Sequence, residues 1–354
     1  MEFLYDYGLF TVKLITVALS IIAVVVMLAA ARDKQSGSGA KGFLEIIRLN
    51  EQYDDMRESV MLATLNEAEQ KVQIKVLDEA RKEKHKADKK AAKQNTTEDA
   101  SRRRVYVLNF DGNISASAVE HLREEITAVL SQATESDEVV LKLESAGGMV
   151  HSYGLAASQL DRLRKKKIPL TVCVDKVAAS GGYMMACVAD RILAAPFAVL
   201  GSIGVIAQLP NFNRVLKKNQ IDFELLTAGE YKRTLTVFGE NTEAGREKFV
   251  QELEETHQLF KDYVTERRPA VDVVQVATGE VWYGSRALEV ALVDDLQTSD
   301  EYLVECVGSA DVFEINYVLK KSLAERFGIA AETSVDRILL KWWQRLTRAS
   351  HKLL

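Results

Sequence analysis

Two glycine-rich turns in the middle of the sequence have the composition of a site for acyl-transfer chemistry. One is ESAGGM at residues 144–149, and the other is VAASGGYMMA at residues 177–186, which contains Ser180. Each turn follows a strand-like segment and precedes a helix-like one, so unpaired backbone N–H groups face it. Glycine lets a carbonyl group approach such a backbone closely. Together the turns could aim two N–H donors at one oxyanion, although either turn alone is also typical of a glycine cap or a phosphate-binding loop.

A serine hydroxyl at such a turn needs a base that removes its proton. Among the five histidines only His151 follows a turn closely, and it is either a base or a polar residue that starts a helix. The other candidate base is a lysine whose pKa is lowered by burial from about 10.4 toward about 7–8. Lys232 is favoured because it follows a predicted strand, although a surface lysine beside Arg233 would look the same. The other histidines and lysines considered lie in charged or terminal segments: His85, His121, His257, His351, Lys217, Lys218, Lys248 and Lys261.

The segments around these turns alternate between strand-like and helix-like patterns. Short runs rich in β-branched residues predict strands, and stretches with helical periodicity lie between them. This alternation predicts an α/β domain with buried, largely parallel strands. The predicted strands are 104–110, 138–144, 170–175 and 222–227, and the predicted helices are 116–130 and 153–164.

Composition excludes several classes of protein. The 354 residues are 47% hydrophobic and 27% charged, which excludes a wholly disordered chain. Three widely spaced cysteines exclude a disulfide framework and a cysteine-based zinc site. The net charge of −5 gives no case for nucleic acid as a partner. No metal-ligand spacing is present, and no cofactor is implied.

The N-terminal region predicts a single transmembrane anchor at residues 8–31. Residues 14–31 are 18 consecutive residues without charge, close to the roughly 20 that span a bilayer as a helix. The alternative, a cleaved signal peptide, has a shorter apolar core and a basic N-terminus, whereas Glu2 and Asp6 precede this one. A second uncharged stretch at 192–213 contains two prolines and three glycine or serine breakers, so we expect buried strands and turns there.

Residues 32–103 predict a charged stalk. The part around 43–65 has a helical pattern, and residues 81–93 contain seven basic and two acidic residues. Such a run is usually a solvated helix or a tether. Attraction to anionic lipid head groups is the second interpretation, and RNA binding is the third because few aromatic residues are present to stack on bases.

Four motifs resemble the signal peptide peptidase A family of Ser–Lys peptidases. They are LESAGG at 143–148, VAASGGY at 177–183, GSIGV at 201–205 and GEYK at 229–232. The chain is most similar to the single-copy SohB branch of that family, along nearly its whole length and including WWQR at 342–345.

This resemblance implies the roles of the site residues. Ser180 would be the nucleophile, Lys232 the general base, and Ser202 the residue that hydrogen-bonds the lysine amine. The main-chain amides of Gly147 or Gly148, and of Gly181, would form the oxyanion hole. The sequence departs from the family at Ala146, where proline is usual, so we expect a less rigid turn.

The resemblance also implies a fold, substrates and an assembly. Residues 104–310 would form a ClpP/crotonase-like spiral of ββα units, followed by a C-terminal extension at 311–354. Clp-type relatives use a Ser–His–Asp triad, but the region around Gly204 that would supply the histidine has none. The substrates would be apolar or unfolded peptides such as remnant signal peptides, and the protomers would form a homo-oligomeric ring around an enclosed chamber.

The expected location is a bacterial inner membrane. Arg32, Lys34 and Lys41 follow the predicted anchor, so the positive-inside rule places the catalytic domain in the cytoplasm. The better-known branch of the family acts on the periplasmic side. Two other functions stay open: a catalytically silent membrane scaffold with a ClpP/crotonase-like domain, and a crotonase-type acyl-CoA enzyme, which would need the oxyanion turns but no base-paired serine.

Overall fold

A computed structural model describes Lys13, residues 42–93 and residues 102–319, without the side chains of residues 84, 85, 88 and 91–93. Residues 45–316 form one compact unit, apart from the chain before and after it. Apart from Lys13, the predicted anchor at 8–31 lies outside the described residues, as does most of the predicted C-terminal extension. Among the described helices, none combines the length and the apolar character needed to cross a membrane.

Ten strands and ten helices are described. The strands are β1 Phe43–Arg48, β2 Arg104–Gly112, β3 Glu138–Ser145, β4 Leu170–Val174, β5 Val177–Ala179, β6 Arg191–Ala194, β7 Val199–Gly201, β8 Val281–Tyr283, β9 Asp295–Leu296 and β10 Asp311–Val318. The helices are α1 Leu49–Ala63, α2 Glu67–Lys93, α3 Val119–Leu130, α4 Val150–Lys165, α5 Gly181–Ala186, α6 Asn213–Lys218, α7 Glu243–Arg267, α8 Val273–Val276, α9 Gly284–Glu289 and α10 Ser299–Ser309.

The strands form a mixed sheet in the order β1-β10-β2-β3-β4-β6-β9. A branch starts at the end of β3, where β5 pairs with it, and continues through β7 to β8. The pairing of β7 with β8 is antiparallel, whereas β2, β3, β4 and β6 run parallel to one another. Parallel strands end at the same edge of the sheet, so the turns that follow β3 and β5 lie next to each other.

Both faces of the central strands are covered, which explains their nearly continuous apolar sequences. On one face, Leu108 and Phe110 of β2 belong to a large cluster that includes residues of α3 and α4. On the other face, Val107 and Cys173 pack with Leu303 of α10. The strands that carry the glycine turns are thus held rigidly from both sides.

The structure confirms three of the four predicted strands and contradicts the fourth. Strands β2, β3 and β4 match the predicted segments to within two residues. Residues 222–227 form no strand: they are exposed and have no neighbouring strand to pair with. Strand propensity measures the fit to a pleated, half-buried surface, and this segment lies outside the sheet.

The predicted stalk contains more than a helix. Its segment 43–65 is divided between strand β1 and helix α1, so the prediction of one helix there is wrong for residues 43–48. The basic run lies in α2, which forms a hairpin with α1 in which Arg81 contacts Asp55 and Glu58 at 3.1 and 2.6 Å. The sheet also includes β10, which pairs with β2 from Asp311 onward, just beyond the predicted domain 104–310.

One buried ion pair fixes the start of β2. The carboxylate of Asp137 accepts hydrogen bonds from the backbone N–H and the guanidinium of Arg104, at 2.7–3.1 Å, and from Thr134. Burial alone raises the pKa of Asp137, but the hydrogen bonds from Arg104 and Thr134 outweigh it and hold the pKa below its usual 3.8. The ionised form is therefore the one that stabilises the fold.

We expect Asp137→Asn to lower the free energy of unfolding at pH 7 by about 2–3 kcal/mol, because it leaves Arg104 without its anionic partner. Since the pKa of Asp137 is lowered by folding, its contribution is present above the pKa of the unfolded chain and is lost as the pH falls through the folded one. Urea unfolding should thus show a constant difference between wild type and variant from pH 5 to 7 that shrinks below about pH 4. Asp54→Asn, in an exposed pair with Arg57, is the control and should cost under about 0.5 kcal/mol.

Candidate active site

Ser180 lies at the tight turn between β5 and α5. Its backbone has φ of 51° and ψ of −117°, a strained conformation for a residue with a side chain. The N–H of Ser180 donates a hydrogen bond of 2.8 Å to the carbonyl oxygen of Gly201, and the residue is half-buried. The turn therefore holds this serine between a short strand and a buried helix, where such strain is typical of functional sites.

Ser202 leaves the neighbouring strand beside Ser180. In the parallel pair β5–β7, Ala179 lies opposite Gly201, so each serine is the first residue after a paired position. Ser202 also has a positive φ of 48°. Its N–H donates to the carbonyl of Glu280 at 2.7 Å, and its Oγ lies 3.5 Å from the carbonyl oxygen of Gly279. The sheet register thus brings two of the predicted site residues together.

The first glycine turn packs directly against Ser180. Gly147 has a φ of 91°, and a methyl group on it would lie 2.7 Å from Cβ of Ser180 and 2.8 Å from N of Gly181. A methyl group on Gly148 would lie 2.1 Å from the carbonyl oxygen of Ile114. These close approaches require glycine at both positions, and they set Gly147 and Gly181 next to the serine.

The hydrogen bonds distinguish between the two candidate donors of the first turn. The N–H of Gly147 donates to Oγ of Ser145 at 3.1 Å, so it is already paired. Neither the N–H of Gly148 nor that of Gly181 has a hydrogen-bond acceptor in the described part of the chain. These two amides are therefore the donors available to a ligand oxygen, and Gly147 shapes the turn that presents one of them.

We expect Gly147→Ala to lower any acyl-transfer activity at Ser180 by about 100-fold or more, because the added methyl group displaces the turn from Ser180. The positive φ also makes alanine unfavourable there, so the variant should be less stable by about 1–3 kcal/mol. The control is Gly154→Ala in α4, where a methyl group would meet nothing within 4 Å. That variant should keep full activity and gain about 0.5–1 kcal/mol. Equal activities of the two variants would contradict the role given to the first turn.

In the single chain, the amine of Lys232 forms no hydrogen bond with Ser180 or Ser202. Its side chain is exposed, its N–H donates to the carbonyl of Gly229 at 3.2 Å, and its Nζ has no hydrogen-bond or ion-pair partner among the described residues. The strand expected before it does not form. A lysine that acts as a general base needs a buried amine, and this chain by itself does not supply that burial.

Lys232 belongs to a largely exposed segment at 205–240, which we call the arm. The arm has one short helix, α6, and an aromatic cluster in which the ring of Phe238 lies 6.1 Å from that of Phe212 and 5.8 Å from that of Phe223. Several apolar side chains of the arm are exposed: Ile206, Leu209, Val215, Ile221, Leu225 and Leu226.

Two histidines near the site have different surroundings. His151 is exposed in the first turn of α4 and has no hydrogen-bond partner within the described residues. His257 of α7 lies with Nε2 3.2 Å from the carbonyl oxygen of Ile203, the residue after Ser202. Sequence reasoning missed this contact because it joins residues 54 positions apart, and no local pattern signals it.

The three cysteines are buried and free. Burial raises the pKa of Cys187 to about 12 and that of Cys306 to about 11, and it also raises the pKa of Cys173. Their thiolates are therefore inaccessible at neutral pH, and none of them is suited to act as a nucleophile.

Comparison with known proteins shows the family of this chain. Residues 2–160 match the model of the N-terminal region of peptidase family S49, and residues 162–312 match the model of peptidase family S49 itself. A probable protease SohB from Haemophilus influenzae is 49% identical over 348 residues, covering 98% of this chain and 98% of its own length. A probable protease SohB from Buchnera aphidicola subsp. Schlechtendalia chinensis is 49% identical over 306 residues, covering 86% of this chain and 99% of its own.

The chain therefore belongs to peptidase family S49. Within that family it is of the SohB type, as the motifs around Gly147 and Ser180 had indicated. The resemblance drawn from the sequence is thus confirmed at the level of the family and the branch, and the chain is a peptidase.

Proposed function

We propose that this chain is a serine endopeptidase with Ser180 as its nucleophile. The observation that carries the proposal is the packing of the two glycine turns around Ser180, with the amides of Gly148 and Gly181 unpaired. Two such donors next to one serine are what stabilisation of a tetrahedral intermediate requires.

The mechanism follows from these groups. Oγ of Ser180 attacks the carbonyl carbon of the scissile peptide bond, and the carbonyl oxygen becomes an oxyanion that accepts hydrogen bonds from Gly148 and Gly181. Lys232, in its neutral form, takes the serine proton and then gives it to the leaving amine. Ser202 orients the lysine amine. Water then hydrolyses the acyl-enzyme, releases the carboxylic acid product and restores the serine hydroxyl.

The neutral lysine needs a desolvated surrounding that the single chain does not provide. We propose that a neighbouring protomer covers the arm in a homo-oligomeric ring. The exposed apolar side chains of the arm support this, because monomeric proteins rarely expose so many together. We also propose that the domain is a ClpP/crotonase-like spiral of ββα units. The parallel strands and the turns after β3 and β5 support this fold.

We propose apolar peptides as substrates, including remnant signal peptides and unfolded membrane-protein segments. Three exposed apolar side chains next to the first glycine turn, Ile114, Met149 and Val150, support this preference. The proposed anchor at 8–31 would hold the enzyme at the inner membrane. A reporter fused to the C-terminus, active on one side of the membrane only, distinguishes a cytoplasmic from a periplasmic catalytic domain.

The exposure of Lys232 is the observation that favours the alternative, a catalytically silent membrane scaffold. A serine-directed fluorophosphonate probe separates the two functions. With the full chain in detergent, we expect an adduct that mass spectrometry maps to Ser180, and no adduct in Ser180→Ala. A folded, unlabelled wild-type protein would overturn the peptidase proposal and leave the scaffold or an acyl-CoA enzyme.

A further inference from the structure

Two buried hydroxyl groups, those of Tyr153 and Ser145, connect helix α4 to the first glycine turn. Tyr153 of α4 is fully buried, and its hydroxyl donates to the carbonyl oxygen of Asn113 at 2.8 Å. Oγ of Ser145 lies 2.6 Å from that hydroxyl, and the N–H of Gly147 donates to the same Oγ. Because the carbonyl of Asn113 only accepts, the tyrosine proton points to it, and Oγ of Ser145 donates to Tyr153 at 2.6 Å, with the carbonyl oxygen of Gly112 as a second acceptor at 3.4 Å.

The hydroxyl of Tyr153 can donate this hydrogen bond at every working pH. Burial raises the pKa of Tyr153 above its usual value of 10, so the hydroxyl remains protonated near neutrality. Both hydroxyls are almost completely shielded from water, with Ser145 2% exposed. Without Oγ of Ser145, the buried N–H of Gly147 would lose its hydrogen-bond acceptor, which is costly, and without the hydroxyl of Tyr153, Ser145 would lose its shortest hydrogen bond.

The ring of Tyr153 contacts the second glycine turn. A methyl group on Gly181 would lie 2.4 Å from Cγ of Tyr153, so the ring sits directly against the residue that carries the second free amide. Phe110 packs on the other side, with ring centroids 6.4 Å apart at an angle of 70°. Tyr153 thus supports both turns. Its ring contacts the second turn, and its hydroxyl reaches the first turn through Ser145.

The first turn needs such support. None of Ala146, Gly147 and Gly148 is a proline and two of them are glycines, so the local sequence alone leaves this turn many conformations. The hydrogen bond from Gly147 to Ser145 restrains the peptide group that precedes Gly147, and so narrows the directions in which the next amide, that of Gly148, can point.

We propose that Tyr153 and Ser145 are positioning residues that hold the amides of Gly148 and Gly181 in place as one oxyanion hole. This inference rests on the proposed function, because it assigns those amides to the tetrahedral intermediate formed at Ser180. Neither residue touches the substrate, and both act through the glycine turns.

The test is Tyr153→Phe, which removes the hydroxyl and keeps the ring. Oxyanion donors act mainly in the transition state, so we expect kcat for a quenched-fluorescent apolar peptide to fall about 10- to 100-fold, with KM within about twofold of wild type. Ser145→Ala should give a similar loss, and the double variant should be no worse than the more impaired single one. Fluorophosphonate titration gives the concentration of active sites, which corrects for any unfolded fraction.

Tyr302→Phe is the matched control. It removes a hydroxyl that donates to Glu138 at 2.7 Å in another part of the sheet, so it should lower Tm and leave kcat unchanged. Wild-type kcat in both Tyr153→Phe and Ser145→Ala, whatever their KM, would overturn this inference and leave the proposed function standing. If Tyr153→Phe does not fold, the kcat of Ser145→Ala tests the inference instead. Wild-type protein that neither hydrolyses peptide nor reacts with the probe would overturn the proposed function itself.

Discussion

Replacing Ser180 by alanine is expected to lower kcat for peptide hydrolysis by about 10⁴- to 10⁶-fold. The variant keeps the two unpaired amides of Gly148 and Gly181, so it should still polarise a bound carbonyl and bind substrate with a KM near that of wild type. What it loses is the acyl-enzyme, because the attacking oxygen is missing. Progress curves with a quenched-fluorescent apolar peptide measure this loss.

Ser158→Ala is the control for this experiment. Ser158 is an exposed serine of α4 whose Oγ donates to the carbonyl of Gly154 at 2.7 Å, and its removal should leave the activity unchanged. If Ser180→Ala retained more than about one-hundredth of the wild-type kcat, another group would be the nucleophile. The buried cysteines are poor substitutes, since burial raises the pKa of their thiols.

Lys232→Ala is expected to lower kcat/KM by about 10²- to 10⁴-fold, the usual contribution of a general base. Lys232→Arg should be as impaired as the alanine variant, because a guanidinium group keeps the positive charge but does not deprotonate. Lys218→Ala, an exposed lysine of the same arm, is the control and should keep wild-type activity. Restoration of activity by arginine would show that Lys232 contributes only its charge.

The exposure of Lys232 makes this second prediction depend on assembly. If a neighbouring protomer desolvates the amine, the specific activity per chain should fall when the protein is diluted until the oligomer dissociates, and light scattering should report the same midpoint. A monomer with full activity would contradict the proposed ring. A Lys232→Ala variant with full activity would contradict the Ser–Lys dyad whatever the assembly.

Local sequence was sufficient to predict strands β2, β3 and β4 and the glycine turn after β3. Strand β3 is rich in β-branched and apolar residues and is buried, and the turn after it needs residues without a side chain. At 170–182 the pattern predicted β4 but missed β5, the three-residue strand Val177–Ala179 directly before Ser180. The same local reasoning failed at 222–227, because a strand-like pattern forms a strand only where a partner strand is available.

The chemistry of the site depended on contacts between distant residues. Sequence motifs named Gly147 and Gly148 as alternatives, and only the bond from Gly147 to Ser145 shows which amide remains unpaired. The placement of Ser202 beside Ser180 comes from the register of β5 and β7, and the contact of Tyr153 with both turns comes from the docking of α4. The sequence therefore shows which glycines and serines lie at the turns. Which hydrogen bonds they make, and whether a lysine amine is buried, is decided in the folded protein, because pairing and desolvation are properties of surroundings that the chain assembles from segments far apart.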